Sequence, residues 1–414
     1  MTEKPYSLTA YQIRLLVVLV LINFVNFAAR QVFVPLIPLL RVHLNVSDAD
    51  LGAMQTWLLL VLALASVPFG FFADRISRKA IIWIGILCWS LATLAGGLAS
   101  TFSSFLIARA FVGLGEAAYA PAAQSMISGA FPKERRAMAQ SIFATGMLLG
   151  GACGQVLGGI VGSHYGWQAA FFIVGIAGLI PSMALFSIEE PSRGPRSEVV
   201  PIPSLFRIPA FMAMIAAGAC VTFASVSLLT WGVDFVESYK DFSLREASVA
   251  LSIAALVSAI TGVLAGGAVA DFLQKRFAFG RVAAMAGALL LAAPFLLLAI
   301  QTEEKEIVLL GLVVSGFFMA WYLGPATAVI HDMMPRRAHA TSVGVYLLVT
   351  QLVGGLGPQV VGRISDLHDL QLGLQICVAV MVCGGLLMLL VIHFIRRDGL
   401  RHPSLDVFHA ESAD

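Results

Sequence analysis

Charge is what this sequence has least of. Only 12% of its 414 residues are Asp, Glu, Lys or Arg, 59% are apolar, and the mean hydropathy is +0.88. Soluble domains carry about 25% charged residues. Half that complement cannot cover a globule in water, so the remaining surface must face lipid. The net charge is +2, from 26 basic and 24 acidic residues. Without a basic excess, a nucleic-acid partner is excluded. Cysteine is also scarce. The five residues Cys88, Cys153, Cys220, Cys377 and Cys383 fall inside apolar runs without ligand-like spacing, which argues against a disulfide framework or structural zinc. The histidines sit mostly at loops and run ends, without metal-ligand spacing. There is no P-loop, no paired carboxylate cluster and no activated nucleophile. The chain therefore reads as no enzyme, with no catalytic residue, no metal and no cofactor. A selectivity filter is missing as well, which removes a channel. The first ten residues are polar and the apolar stretch behind them is far longer than a signal core, so no cleaved leader is expected.

What the sequence does have is long apolar runs. A bilayer core of about 30 Å takes about 20 helical residues. Runs near 12–40, 51–73, 80–100, 103–130, 137–162 and 168–188 are followed, after a break, by runs near 210–236, 246–270, 282–300, 307–331, 341–364 and 372–395. That makes twelve expected spans. Basic residues gather at alternate loops, as in Arg75, Arg78 and Lys79, then Lys133, Arg135 and Arg136, then Lys275, Arg276 and Arg281, then Arg396 and Arg397. The opposite loops hold only Arg41, Lys240, Arg245, Lys305 and Arg363. The positive-inside rule then puts both termini in the cytoplasm, in a multi-pass protein of a cell membrane, a bacterial inner membrane in the simplest case.

The middle of the chain breaks the pattern. Between Glu189 and Pro209 stand five of the seventeen prolines, among mixed charges, which no helix interior accepts. The expected organisation is an N-terminal six-helix bundle over 1–188, a cytoplasmic linker over 189–209, a C-terminal six-helix bundle over 210–396 and a cytoplasmic tail over 397–414. The two halves repeat. Pro132, Arg135-Arg136-Ala137, Ala139 and Ser141 recur as Pro335, Arg336-Arg337-Ala338, Ala340 and Ser342, and glycine-spaced segments run from Gly154 to Gly162 and from Gly357 to Gly362. The fold class is thus all-α membrane protein, twelve helices in two pseudo-symmetric bundles. Such repeats place a substrate site between bundles and alternate its access by rocking them. A monomer is expected, since nothing resembling a long amphipathic tail argues for assembly.

Several motifs carry a resemblance. Gly70-x-x-x-Asp74-Arg75-x-Ser77-Arg78-Lys79 resembles the loop between helices 2 and 3 of the major facilitator superfamily, with Ser77 where that family has glycine, and Gly267-x-x-x-Asp271 repeats a degraded form of it. Gly70 would permit close helix approach, and Asp74, Arg75, Arg78 and Asp271 would form the conformational motif. Gly150-x-x-x-Gly154-Gln155-x-x-Gly158-Gly159 is similar to the superfamily's exporter motif, with Gln155 in place of proline; small residues at this spacing imply tight helix packing. Arg109-x-x-x-Gly113-x-Gly115-Glu116-Ala117-Ala118-Tyr119, then Tyr165-Gly166-Trp167 and Pro358-x-x-x-Gly362-x-Ile364-Ser365-Asp366, resemble the spinster branch. That resemblance implies export of anionic amphipathic lipids, such as lysophospholipids or sphingoid phosphates, with proton coupling. One departure stands out: Asn26-Phe27-Ala28-Ala29-Arg30-Gln31 has Ala29 where the branch has aspartate, so any coupling rests on fewer groups.

Two buried charges follow from position alone. Arg30 lies about 22 Å and Glu116 about 21 Å from the inner ends of their spans, and a charge at such depth is paired and marks a pathway by default. Arg30 suits an anionic headgroup through its bidentate fork, with Glu116 as its partner in the empty state and as the proton-coupling group; a permanent ion pair locking two helices is the alternative. Asn26, Gln31 and Tyr119 join them as expected substrate contacts, with Trp321, Tyr322 and Tyr346 from the charge-poor second half. Arg109, about 31 Å from the inner end, is expected at the outer interface within reach of water, and Asp234 and Glu237 nearer the outer face, as a solvated helix end or an outer gate. The partners expected are the bilayer, protons, and a lipid or small amphipathic anion. A small organic anion or drug would suit Arg30 equally.

Overall fold

The computed structural model describes residues 9–73, 75–191, 202–335 and 338–398. Every regular element among them is helical. The first bundle contains α1 (Ala10–Gln31), a single 3-10 turn (Val34–Leu36), α2 (Ile37–Leu44), α3 (Asp48–Ala73), α4 (Arg78–Gly97), α5 (Phe102–Ala130), α6 (Lys133–Tyr165) and α7 (Trp167–Leu185). A short α8 (Ile202–Leu205) precedes α9 (Pro209–Tyr239), α10 (Leu244–Gln274), α11 (Gly280–Gln301), α12 (Lys305–Ala320), α13 (Leu323–Met333), α14 (His339–Gly354), α15 (Gly357–Leu367) and α16 (Leu370–Asp398). Eleven stretches are long and apolar enough to cross a membrane. The twelfth expected span is α5, 29 residues long and therefore about 43 Å. It misses the hydropathy that the other eleven share, and it is the helix that carries Arg109 and Glu116.

Helix starts are written locally. Thr9, Thr101 and Ser243 each form a reciprocal capping box, with Gln12, Ser104 and Glu246, which satisfies amide donors that a helix start leaves open. Gly166 turns the chain between α6 and α7 at φ +86°, a conformation that a residue with a Cβ rarely adopts. Three spans are discontinuous. The first breaks between Gln31 and the proline-headed turn and α2, the tenth at Trp321–Tyr322, and the eleventh between Gly354 and Gly357. Pro35, Pro38 and Pro358 sit in the first turn after such breaks, where a missing N–H costs nothing. Broken helices free backbone groups, and membrane proteins tolerate them where they are buried in protein or line a cavity.

The chain falls into two units, Met1–Val46 with Trp57–Pro195, and Ser47–Thr56 with Arg196–Asp414. In the first unit, α1 packs along α6, while α4 packs on α5 and α7. In the second, α9 packs on α14, α15 and α16, and α11 on α12 and α16. The same pairings of first with fifth span, and of third with fourth and sixth, recur in both halves.

The α1–α6 contact has a clear cause. Gly146, Gly150, Gly154 and Gly158 are spaced by four, so they share one face of α6. They meet the carbonyls of Val20, Phe24, Ala28 and Val32, spaced by four on α1: a Cβ added at these glycines would lie 2.6, 2.1, 2.3 and 2.6 Å from those oxygens. Gly162 continues the row, against Leu36. Backbone meets backbone from Val20 to Val32, the arrangement by which small residues hold membrane helices together. Gly70 behaves otherwise. A Cβ there, or at its repeat counterpart Gly267, would meet nothing within 4 Å among the described residues.

Replacing Gly150 or Gly154 by alanine should therefore destabilise the protein by about 3 kcal/mol, since the helix backbones must separate. Gly70→Ala should be neutral or gain about 0.5–1 kcal/mol from helix propensity. Thermal midpoints of the three purified variants check both expectations; equal midpoints for Gly150→Ala and Gly70→Ala would contradict them.

Candidate functional site

The glycine row fixes the last turns of α1, and these carry Asn26 and Arg30 on one face, four residues apart. On α5, Glu116 stands opposite. Arg30 Nε lies 3.6 Å from Glu116 Oε2, with the arginine side chain 15% exposed and the glutamate 3%. The contact is an ion pair longer than a good charge-assisted hydrogen bond. Three polar atoms around it are buried without a hydrogen-bond partner: Arg30 Nη2, Glu116 Oε1 and Asn26 Nδ2. Leaving a buried donor or acceptor open costs about 1–3 kcal/mol each, so folding alone would not favour such a cluster. The guanidinium also lies 5.5 Å from the Phe27 ring centroid.

The neighbouring expected residues divide. Tyr119, one turn beyond Glu116, is buried, donates its hydroxyl to the Leu19 carbonyl at 3.0 Å and sits edge-on to Trp89. It pins α5 to α1. Gln31 is half-buried and faces α6, its Cγ 3.6 Å from the place of a Cβ on Gly151. Arg109 differs from its expected place at a watery interface. It is 2% exposed, with its guanidinium 4.6 Å from the centroid of Phe33. Axial depth alone could not see that α5 is covered there by the residues following the break in span 1.

A second polar group lies within the second unit. The hydroxyls of Tyr322, at the break of span 10, and Tyr346, on α14, are hydrogen-bonded to each other and buried. A Cβ on Gly218 of α9 would lie 2.5 Å from the Tyr346 hydroxyl, and Thr350 donates to the Tyr346 carbonyl at 2.8 Å. Trp321 packs against Gly266, Phe317 and Phe318, its indole N–H buried without a partner. Asp234, expected at a solvated helix end, is 1% exposed, while Glu237 is half-buried. Trp231 donates to the Pro358 carbonyl at 2.9 Å and so ties α9 to α15.

The loop motifs act at helix ends. Asp74 lies outside the described residues, and Arg75 is exposed over the Phe71 ring. Arg78 is buried at the start of α4 and takes Glu190, at 3.1 Å, together with the backbone of Pro191 and Ser125. Ser77, the departure from the family glycine, caps α4 through Ala80 and donates to Glu190 at 2.7 Å. Lys79 donates to the carbonyls of Phe186 and Ile188, both at 2.9 Å, and Tyr11 to that of Glu189 at 2.6 Å. The segment 186–191 is thus strapped to the first unit. In the second unit Arg281 bridges Asp271, at 2.8 Å, and Asp332, at 2.6 Å. Sequence reasoning missed Glu190 and Asp332 as the partners, because they lie 112 and 51 residues from the arginines they hold. The only signal was an acidic residue at the end of each neighbouring span. Among the described residues no group of three or more His, Cys, Asp or Glu could hold a metal ion.

Burial would raise the Glu190 carboxyl, but hydrogen bonds from the Ser77 hydroxyl and from the Arg78 amide and guanidinium outweigh it and hold the group below the ordinary carboxylate range. A depressed carboxylate contributes stability above its unfolded pKa and loses it as pH falls through the folded one. The difference in thermal midpoint between wild type and Glu190→Gln should stay constant above about pH 5 and close below about pH 4. A difference that persists in acid would mean that the strap does not depend on the carboxylate charge.

The family model described as Major Facilitator Superfamily matches residues 19–358 and 240–408. An "MFS-type efflux pump" of Mycolicibacterium smegmatis is 26% identical over 386 residues, 90% of this chain and 88% of that one. "Protein spinster homolog 1" of Xenopus laevis is 26% identical over 428 residues, 93% of this chain and 81% of its own. Among solved structures, a bacterial homolog to the human lysosomal transporter spinster, inward-facing and unoccupied, superposes with TM-score 0.84 at 24% identity, over 94% of this chain and 99% of that one.

Proposed function

For a chain that belongs to the major facilitator superfamily, a spinster-like secondary transporter in a membrane, we propose that the cargo is an anionic amphipath, a lysophospholipid or sphingoid-phosphate-like lipid, moved by alternating access and coupled to protons. The observation that carries this reading is the buried Arg30–Glu116 pair with one open guanidinium nitrogen, one open carboxylate oxygen and the open Asn26 amide beside it. An ion pair that served only to lock two helices would gain from closing those bonds. In this reading Arg30 takes the headgroup oxygens and Asn26 donates alongside. Tyr322, Tyr346 and Trp321 contribute a charge-free wall for the chain, and Tyr119 and Gln31 position the cluster from behind. The six spans of each repeat, 1–188 and 210–396, act as the two rocking bundles, with both termini in the cytoplasm of a monomer.

The proton enters by competition. With no cargo, Arg30 and Glu116 neutralise each other. A cargo anion that claims Arg30 leaves a buried carboxylate without its partner, which is so costly that the group takes up a proton instead. Proton uptake and anion binding therefore favour each other reciprocally, and Glu116 alone supplies the coupling where Ala29 replaces the branch's aspartate. The kinship to a protein called an efflux pump supports a second reading, in which the anion is a small organic acid or drug and proton-coupled export is the outcome.

Binding to purified protein separates these readings, using lysophosphatidylglycerol, sphingosine phosphate and benzoate at mildly acidic and at neutral pH. Wild type should bind the single-chain lipids more tightly in acid. Glu116→Gln should bind at the acid level regardless of pH, and Arg30→Ala should bind about a hundredfold more weakly, the worth of a buried charge-assisted contact. Lipid binding indifferent to Arg30 would overturn the headgroup assignment. A pH response surviving in folded Glu116→Gln would overturn the switch. Binding of benzoate alone would select the small-anion reading.

A further inference from the structure

A cavity of about 250 Å³ opens where α4 begins and α7 ends, lined by Ser77, Lys79, Ala80, Trp83, Leu185 and Phe186. Its chemistry is lopsided. Lys79 supplies the only charge in the lining, and among the described residues no carboxylate pairs with it: its partners are the Phe186 and Ile188 carbonyls and the face of the Phe186 ring, 5.8 Å away. Two of the three ammonium donors are used, and one remains. Glu190, on the same strap, is already engaged by Ser77 and Arg78. Trp83 stands edge-on to Phe186 at 5.8 Å, and both present amphipathic or aromatic surface of the kind that settles at headgroup level. From this cavity two apolar stripes run away along the bundle. On α4 the stripe is Ala80, Ile84 and Leu91; on α7 it is Ile176, Ile180 and Met183, all exposed. Spacings of three, four and seven put each stripe on one helix face, the face that meets lipid.

We propose that this cavity is a headgroup site for an anionic phospholipid of the surrounding bilayer. The phosphate takes the remaining Lys79 donor and completes its charge, the glycerol fills the space beside Trp83 and Phe186, and the acyl chains lie along the two stripes. Basic pockets between membrane helices at a positively charged loop bind such headgroups. A zwitterionic lipid brings its own cation toward Lys79 and gains less. The bound lipid is a resident, not cargo: Arg30 and Glu116 take no part, and the proposal stands or falls independently of the transported molecule. Because Lys79 also holds the strap at 186–191, a lipid here stiffens the start of the linker.

The test is binding to the purified full-length protein in detergent, counted by native mass spectrometry and followed as a shift in thermal midpoint. Phosphatidylglycerol, phosphatidylcholine and inorganic phosphate are compared on wild type, Lys79→Gln and Ala80→Phe. Ala80→Phe fills the cavity from an exposed position and leaves the Lys79 carbonyl bonds in place, so it keeps the test valid if Lys79→Gln folds poorly. Phosphatidylglycerol should bind and stabilise wild type more than phosphatidylcholine does. Its affinity should drop about fivefold to tenfold in Lys79→Gln and Ala80→Phe, the worth of one interfacial lysine plus lost space. Inorganic phosphate should not reproduce the effect. Unchanged affinity in both cavity variants, equal stabilisation by phosphatidylcholine, or stabilisation by inorganic phosphate alone would overturn the lipid site.

Discussion

Backbone-to-backbone contact between α1 and α6 is the constraint on which the first unit depends. In a bilayer there is no hydrophobic gain in bringing two apolar helices together, so association rests on close packing. The Gly146–Gly162 row removes every side chain from one face of α6 and lets the carbonyls of α1 come within what would be bonding-clash distance of a Cβ. That contact sets the axial position of α1 to within a fraction of a turn. It therefore sets the height of Arg30 opposite Glu116, which α5 delivers from the other side while Tyr119 ties α5 back to α1 through Leu19.

Charge is used sparingly and in two distinct ways. At helix ends the two buried or bridging arginines have carboxylate partners: Arg78 holds Glu190, with Ser125 beside it, and Arg281 holds Asp271 and Asp332. At membrane depth the accounting is left unfinished. Arg30, Glu116 and Asn26 keep open polar atoms where closing them would have been favourable. Paired charges at helix ends thus contrast with a middle that keeps open polar atoms. The break of span 1 immediately after Arg30 belongs to the same contrast, as does the break of span 10 at Trp321–Tyr322.

The fold was legible because its signal is long-range in sequence but one-dimensional: twenty apolar residues in a row say nearly everything about a span. Even α5, less apolar than the other spans for its charged and small residues, stood out between two loops. Resemblance was equally legible, through Gly70–Lys79, Arg109–Tyr119 and Gly150–Gly159. Depth along a helix axis brought Arg30 and Glu116 to the same level, because rise per residue is constant. The same arithmetic misjudged Arg109, since axial distance says nothing about what covers a side chain laterally.

The sequence by itself determined that the chain is an all-helical membrane protein, repeated in two halves and related to known transporters, with a buried charge pair near mid-span. Hydropathy, charge bias and motif spacing are properties of the chain read in order, and the bilayer converts them directly into spans and loops. Tertiary structure alone decided which residues close each other's bonds. Glu190 finding Arg78 across 112 residues, the hydroxyls of Tyr322 and Tyr346 meeting each other, and Lys79 left with a donor at the mouth of a cavity are all products of lateral packing. A hydrogen bond is directional and short, and only the three-dimensional arrangement of helices settles who stands within its reach.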